Sequence, residues 1–479
     1  MPQTLGKSGR YGYNSPIDLE LVMASEQKGM HGTWASRWTF IMAATGSAVG
    51  LGNIWKFPYE AGSNGGGAFV LVYLACILLI GVPVMMAEVL IGRHGRKSPI
   101  NSMKDVVAVS GVDKRWTNVG WLGVLAALLI LSFYVVIAGW VLNYIFEIAS
   151  GHLSGANGEM ANAAFQSLRE DPLRVIFWQS LFLLLCVAVV IGGVKRGLAI
   201  AVETLMPILF AMLLILLAFG FFKGNFDAAV EFLFRFDLSQ LTWAGVLEAM
   251  GQAFFTLSIG MGAIMAYGAY MPKKANIGQT VLVVAFFDCM VAIISGLIIF
   301  SFVFSTEGIE PSAGPGLMFI SLPVAFGSMS GGLLIGALFF VLVSIAAWSS
   351  AISLLEPCVA WLIEAKNISR LRANLILAGI VWVLGLGTVF SDNIWAEYKL
   401  LGFTFFDFLD FLTANIMLPI SGLLIAVFVG FYMNKKAVNS ELSGLGPSLR
   451  AVWQFSLCYI APTAIAIVFV MGLFEKFFP

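Results

Sequence analysis

The sequence has few charged residues, and this shortage excludes an ordinary water-soluble protein. Asp, Glu, Lys and Arg together make up 11% of the 479 residues, whereas soluble domains contain about 25%. Apolar residues make up 59% of the chain, which is too much to hide from water behind so little polar surface. The 27 basic residues are balanced by 27 acidic ones, which excludes a nucleic-acid-binding role argued from excess positive charge.

Histidine and cysteine are scarce too, and neither is grouped in a way that predicts chemistry. The five cysteines are scattered through apolar stretches without the paired spacing of a metal site, so we interpret them as small buried side chains. The three histidines, His31, His94 and His152, have no candidate nucleophile or metal cluster beside them. The sequence therefore predicts neither an enzyme active site nor an organic cofactor.

Long uncharged runs are what the sequence has in abundance. The stretch 122–144 exceeds the ~20 residues that a helix needs to cross a bilayer, and similar runs recur along the chain. Because backbone amides and carbonyls cannot stay unpaired in lipid, these runs predict an all-α polytopic membrane protein. We predict about eleven transmembrane helices, at 38–60, 68–92, 117–149, 173–191, 198–222, 243–271, 276–305, 333–366, 371–390, 403–432 and 449–475. Twelve spans are the alternative, but too few residues follow position 473.

Most of the basic residues fall in alternate loops, and this pattern predicts an orientation. By the positive-inside rule, the tail 1–37 lies in the cytoplasm of a cell-membrane protein. An odd number of spans then places the C-terminus outside. The spacing further predicts two five-helix repeats of inverted topology, 38–222 and 243–432, followed by an eleventh helix at 449–475.

Glycines interrupt the first and sixth predicted spans at matching places. Gly50-Leu51-Gly52 interrupts the first span, and Gly260-Met261-Gly262 interrupts the sixth, close to the hydroxyls of Thr256 and Ser258. Small residues also let membrane helices pack closely, and either interruption alone has that explanation. Their matched positions favour unwound segments, which free carbonyls for a cation and helix N-termini for an anion.

Several long motifs follow one another along the sequence. The longest are GSAVGLGNIWKFP at 46–58, NGGGAF at 64–69 and GQAFFTLS at 251–258, and Tyr134 with Trp140 fits the same pattern. These motifs closely resemble those of the neurotransmitter:sodium symporter family. The resemblance covers nearly the whole chain in order and is closest to the bacterial amino-acid transporters. It implies a leucine-transporter-like fold with broken helices 1 and 6, and sodium-coupled amino-acid symport by alternating access.

The resemblance also implies two sodium ions bound by oxygen atoms. The first ion would contact the substrate carboxylate and residues of three spans: Ala48, Asn53, Thr256 and Asp288. The second would contact three carbonyls and two hydroxyls: Gly46, Val49, Ala346, Ser349 and Ser350. Hard oxygen ligands of this kind suit an alkali cation.

The amino-acid site implied by the resemblance combines backbone groups with an apolar pocket. The substrate carboxylate would meet the amides of Leu51 and Gly52 and the hydroxyl of Tyr134. The ammonium group would meet carbonyls near Phe255, Thr256 and Ser258, with Phe255 as a lid. The pocket for the side chain would consist of Ser47, Ile130, Ile137, Met261 and Leu354. This lining indicates a neutral, hydrophobic or aromatic substrate, and flexible Met261 can admit a bulky ring.

In the family that the sequence resembles, the residue at the position of Gly50 differs between amino-acid carriers and monoamine carriers. The monoamine carriers have an aspartate there, which pairs the amine of a substrate without a carboxylate, whereas this chain has Gly50. The resemblance therefore implies a free amino acid as substrate.

Asp288 and Ala292 depart from the pattern of the chloride-dependent relatives. Asp288 stands where many relatives have asparagine, and Ala292 stands where chloride-dependent relatives have a serine. We predict that Asp288 supplies the negative charge and that transport needs no chloride. A protonated Asp288 that hydrogen-bonds across helices is the alternative, because buried acids often neutralise.

The two gates implied by the resemblance also carry substitutions. The outer gate pairs Lys56 with Asp410, where relatives have arginine, although a lysine extending to the surface is the alternative for Lys56. At the inner gate His31 replaces the arginine before Trp34, and it would face Glu364 with Tyr270 nearby. Closure then depends on pH through His31, or Lys28 serves in its place.

Two acidic residues within the predicted spans remain to be interpreted. The resemblance gives Glu88 the role of bracing the sixth-helix break, and we interpret Glu356 as polar packing rather than ion binding.

A proton-coupled or exchange-only carrier is the closest rival to sodium symport, but Ser349 and Ser350 disfavour it. A channel or sensor would need a continuous pore or a signalling domain. The sequence does not select an oligomeric state.

Overall fold

The computed structural model describes residues 32–237, 239, 241–306 and 316–477. These residues form helices joined by turns and loops, with no β-strand among them. The helices, numbered in chain order, are α1 (Arg37–Ala48), α2 (52–63), α3 (Gly67–Gly95), α4 (Pro99–Ser110), α5 (Lys114–Ala149), α6 (Gly158–Glu170), α7 (Pro172–Ile191), α8 (Val194–Lys223), α9 (Phe226–Phe234), α10 (Trp243–Thr256), α11 (Ala263–Ala269), α12 (Ile277–Val303), α13 (Leu317–Ser328), α14 (Gly332–Lys366), α15 (Arg370–Phe390), α16 (Phe405–Tyr432), α17 (Lys435–Glu441) and α18 (447–477).

Helix length and composition confirm the predicted all-helical class. Nine helices of the described residues are long and apolar enough to cross a membrane. The pairs α1/α2 and α10/α11 are shorter because each is one span interrupted near its middle. With these two interrupted helices added to the nine continuous ones, the described part of the chain contains the eleven predicted spans.

The first interruption lies at Val49 and Gly50. Helix α1 ends at Ala48, and Val49 is extended with φ −73° and ψ 104°. A Cβ added at Gly50 would meet the Ser350 hydroxyl oxygen and would lie 3.1 Å from both the Tyr134 hydroxyl oxygen and Ser350 Cβ. Side chains of α5 and α14 therefore approach this backbone closely, and a larger residue would require them to shift.

The second interruption depends on left-handed backbone conformations. Ser258, Gly260 and Gly262 have φ values of 55°, 84° and 71°, so no regular helix can form between α10 and α11. The carboxylate of Glu88 on α3 accepts a hydrogen bond from Gly260 N at 2.6 Å, which satisfies an amide freed by the break, as predicted. Both predicted breaks are present.

The interrupted helices lie at the centre of the bundle. Helix α1 packs against α8, α12 and α14, helix α11 packs against α3, and α5 and α14 pack together along much of their length. Outward faces remain apolar and exposed, as at Leu184 on α7, which is 64% exposed. This arrangement places freed backbone groups in the interior and apolar side chains where lipid lies.

Candidate functional site

A small cavity, with a volume of about 20 Å³, lies between the two helix breaks. It is lined by residues of both breaks, of α5 and of α14: Ser47, Ala48, Gly50, Leu51, Gly52, Ile130, Tyr134, Phe255, Ser258, Met261, Ser350 and Leu354. Two residues predicted for the substrate are not in the lining. Ile137 is buried in α5 one turn beyond Tyr134, and Thr256 turns its hydroxyl towards Asp288 instead. The structure brings the other predicted substrate residues together.

The lining of this cavity includes hydrogen-bonding groups. The amide of Leu51 points at the Tyr134 hydroxyl oxygen at 3.4 Å, and the Ser258 hydroxyl donates to Ser47 O at 2.9 Å. The lining also includes the apolar side chains of Ile130 on α5, Leu354 on α14 and Met261 at the second break. A ligand that matches both kinds of lining has a polar head and an apolar side chain.

A hydrogen-bonded cluster around Asp288 adjoins the cavity. Asp288 is fully buried on α12, and its carboxylate accepts hydrogen bonds from Asn53 Nδ2 at 2.7 Å, Thr256 Oγ1 at 2.8 Å and the Tyr73 hydroxyl at 3.2 Å. The structure thus joins Asn53, Thr256 and Asp288, the side chains predicted for the first sodium ion. Ala48, whose carbonyl was predicted to complete the set, lies at the adjoining break. Carboxylate, amide and hydroxyl oxygens are a donor set that suits sodium.

The five residues predicted for a second sodium ion also meet. The Ser350 hydroxyl oxygen lies 3.4 Å from Gly46 O and 3.2 Å from Val49 O. The Ser349 hydroxyl oxygen lies 3.0 Å from Ala346 O, and both serines are buried. Carbonyls at the end of α1 and hydroxyls of α14 therefore form one oxygen-rich cluster in an apolar bundle. Ser353, which sequence reasoning missed, accompanies it by accepting a 2.8 Å hydrogen bond from the Ser47 hydroxyl.

The two outer-gate residues do not pair in this structure. Lys56 Nζ lies 5.2 Å from the centre of the Phe255 ring, a cation–π contact. Within the part of the chain that the structure describes, Lys56 and Asp410 form no ion pair at 4.0 Å or less. Lys56 therefore contacts the predicted lid of the cavity rather than the predicted partner.

Trp34 plugs the other end of the bundle. Its side chain is 2% exposed, its indole Nε1 donates to Tyr267 O at 3.2 Å, and its backbone amide donates to Tyr270 O at 2.9 Å. Glu364 accepts hydrogen bonds from Ser98 N at 2.8 Å and Asn101 Nδ2 at 2.6 Å. His31 and Lys28, predicted for this gate, lie outside the described residues.

Sequence reasoning missed a buried ion pair beneath this plug. Glu356 is fully buried on α14, and it accepts hydrogen bonds from the Tyr270 hydroxyl at 2.8 Å and from the Arg370 guanidinium. Arg370 Nε also donates to Val190 O at 2.6 Å. Glu356 is thus half of an ion pair, a more specific role than the polar packing that we predicted. The available signal was that a buried glutamate requires a cation, and Arg370 begins the next helix.

Comparisons with known proteins agree with this architecture. The sequence profile described as the sodium:neurotransmitter symporter family matches residues 31–166 and 165–477. The chain is 36% identical to the sodium-dependent transporter YhdH of Bacillus subtilis, over 93% of this chain and 98% of the relative. It is 32% identical to a sodium-dependent transporter of Haemophilus influenzae, over 92% of this chain and 98% of the relative.

A solved structure of a related protein has the same fold as this chain. The crystal structure of MhsT in complex with L-phenylalanine superposes with a TM-score of 0.85 at 40% sequence identity, covering 92% of this chain and 99% of MhsT. The shared fold includes the leucine-transporter-like arrangement that the resemblance implied. The chain therefore belongs to the sodium:neurotransmitter symporter family, and it is a sodium-dependent, multi-pass membrane transporter rather than an enzyme.

Proposed function

We propose that this protein is a sodium-coupled symporter of neutral, hydrophobic or aromatic amino acids that works by alternating access and needs no chloride. The observation that carries the proposal is the cavity at the two breaks, whose lining combines hydrogen-bonding groups with apolar side chains. The related MhsT, which binds L-phenylalanine in its crystal structure, supports an amino acid of this kind.

The amino acid would lie with its carboxylate near Leu51 N and the Tyr134 hydroxyl. Its side chain would extend among Ile130, Met261 and Leu354, and Phe255 would cover it. Gly50 leaves the room that the carboxylate needs, because a Cβ there would collide with the Tyr134 hydroxyl oxygen. An aspartate at this position would fill that space and repel the carboxylate.

Two sodium ions would travel with the amino acid. The first would be bound by Ala48, Asn53, Thr256 and Asp288 together with the substrate carboxylate, so ion and substrate would share one site. The second would be bound by Gly46, Val49, Ala346, Ser349 and Ser350, and it would join α1 to α14. Because both ions connect a broken helix to the surrounding bundle, their binding would favour one conformation over another.

Asp288 would replace chloride as the counter-charge. Three neutral hydrogen-bond donors stabilise its carboxylate in the bundle interior, and the fully buried Ala292 one turn later offers an anion nothing to bind. A sodium ion beside this carboxylate would form a neutral pair, which lowers the cost of burying either charge.

Alternating access would use the two ends of the cavity in turn. In the proposed orientation the N-terminus and the Trp34 plug face the cytoplasm, and Lys56, Phe255 and Asp410 face outside. The repeats 38–222 and 243–432 would move relative to each other, and 449–475 would be the additional helix. Inner closure would involve Trp34, Tyr270 and Glu364, with His31 as a further candidate.

The experiment that tests the proposal is uptake of labelled amino acids into proteoliposomes. We expect uptake of phenylalanine, tryptophan and leucine with external sodium and little uptake with potassium. Replacing chloride by gluconate should leave uptake unchanged. Uptake that ignores sodium and follows a proton gradient would refute sodium symport, and uptake that stops in gluconate would refute the role of Asp288.

Pocket variants test the substrate class separately. Met261→Phe narrows the cavity, so uptake of tryptophan should fall roughly tenfold relative to alanine, as expected for ~1–3 kcal/mol of overpacking. Met261→Leu conserves volume and is the matched control. An unchanged ratio of the two substrates in Met261→Phe would show that this cavity does not hold the side chain.

A further inference from the structure

A deep apolar groove opens on the outer surface of the bundle, away from the substrate cavity. It has a volume of about 880 Å³ and runs between α5, α14, α15 and α16. Its walls are formed mainly by Trp121, Leu125, Leu128, Trp361, Leu377 and Leu424. Trp121 is 45% exposed and Leu125 49% exposed, so the groove is open to the surroundings of the membrane-spanning helices. In a membrane those surroundings are lipid chains.

Basic residues gather at one end of this groove. Arg115, whose side chain is 90% exposed, lines this end and forms an exposed ion pair with Asp113, with Nε and Oδ2 4.0 Å apart, and exposed Lys114 precedes it. The Asn434 amide donates to the Ser110 hydroxyl at 3.0 Å, which brings the exposed Lys435 and Lys436 of α17 to the same end. One acidic residue against four basic ones leaves this end positively charged.

Aromatic side chains mark the level of the membrane interface at the same end. The Trp116 ring lies 5.4 Å from Phe428 and 4.9 Å from Tyr432, between the basic residues and the apolar walls. Trp121 and Trp361 pack edge to face at 4.7 Å further along the groove. Tryptophan and tyrosine favour the boundary between headgroups and hydrocarbon, so the groove begins at headgroup level and continues into the hydrocarbon.

We propose that this groove binds one anionic phospholipid of the cytoplasmic leaflet. An acyl chain lies along Trp121, Leu125 and Trp361, and the phosphate lies at Lys114 and Arg115. Apolar depth selects a lipid chain over water, and the basic end selects an anionic headgroup over a zwitterionic one. The site is separate from the substrate cavity, and the inference does not depend on which amino acid is transported.

Quenching of tryptophan fluorescence by brominated lipid tests this directly. The full chain is placed in nanodiscs of phosphatidylcholine that contain a small fraction of either brominated phosphatidylglycerol or brominated phosphatidylcholine. The fluorescence of Trp121, which lines the groove, is obtained by subtracting the emission of the Trp121→Phe variant from that of the wild type. We expect brominated phosphatidylglycerol to quench this signal at a lower fraction, and Lys114→Gln with Arg115→Gln to reduce the preference by roughly fivefold per residue removed.

Lys195→Gln with Arg196→Gln is the matched control, because both residues are exposed at the start of α8, in another segment predicted to be cytoplasmic. It should keep the preference. Equal quenching by the two brominated lipids would overturn the proposal. An equal loss of the preference for phosphatidylglycerol in both pairs of variants would also overturn it, because the effect would then come from general surface charge. Native mass spectrometry of retained phosphatidylglycerol provides a second measurement, and equal retention by wild type and the Lys114/Arg115 variant would also overturn it.

Discussion

At the scale of single residues, the site depends on which atoms are absent as much as on which are present. Gly50 has no side chain where Tyr134 and Ser350 converge, and Ala292 has no hydroxyl one turn beyond Asp288. Asp288 then brings the only formal charge to a cluster whose other hydrogen-bonding partners, Asn53, Thr256 and Tyr73, are neutral. Each of these residues leads to a measurable expectation.

Asp288→Asn should weaken sodium activation of uptake by roughly 100-fold or more. Losing one partner of a buried charge pair costs ~3–5 kcal/mol, and the sodium ion would be the partner left behind. The sodium concentration for half-maximal uptake is the measurement. Asp227→Asn, an exposed acid at the start of α9, is the control and should stay within about twofold, as surface charges contribute little. A half-maximal concentration unchanged in Asp288→Asn would remove Asp288 from the ion site.

Gly50→Ala should lower substrate affinity by roughly tenfold or more while the protein still folds. The added Cβ would lie 3.1 Å from the Tyr134 hydroxyl oxygen, so the groups proposed to bind the carboxylate must shift. Gly251→Ala on α10 is the matched control, because nothing lies within 4 Å of its Cβ. Equilibrium binding of labelled phenylalanine measures the effect, and equal affinities in the two variants would contradict the proposed location.

At the scale of helices, the sequence predicted the elements well and their contacts less well. The apolar runs and the paired glycines were enough to predict the eleven spans and both breaks, because exclusion from water and backbone freedom are local properties. The partners of Glu356 and Lys56 depend on how distant helices pack. Thus Arg370 was not predicted as a partner of Glu356, and the contact of Lys56 with Phe255 was not predicted either. Ile137, which the resemblance assigned to the pocket, is buried in α5 outside the cavity lining, because the extent of the cavity also depends on how the helices pack.

The Glu356–Arg370 pair should contribute measurably to the packing of α14 against α15. In a double-mutant cycle with Glu356→Gln and Arg370→Met, we expect a coupling of ~1–3 kcal/mol in the free energy of unfolding in detergent. Glu231 and Arg235 form a pair that is about 70% exposed on α9. The same cycle there should give less than ~1 kcal/mol. Similar coupling energies at the two pairs would mean that burial of Glu356 does not strengthen its interaction with Arg370.

At the scale of the whole molecule, the proposed function places both ions and the substrate at one centre between the two broken helices. Trp34 contacts Tyr267 and Tyr270, and the Tyr270 hydroxyl donates to the buried Glu356, whereas Lys56 contacts Phe255. In the proposed transport cycle, closure at either side would change the contacts of these residues. The resemblance supplied the site residues, and the structure brings most of them within hydrogen-bonding reach of one another.

The central claim is that sodium and an amino acid move together through this centre, and concentrative flux tests it most directly. Proteoliposomes are loaded with labelled phenylalanine at the same concentration inside and outside, and a sodium gradient is then applied. We predict accumulation inside that a sodium ionophore abolishes and that Asn53→Ala strongly reduces. No net movement of phenylalanine under the sodium gradient, with exchange across the membrane intact, would contradict the account.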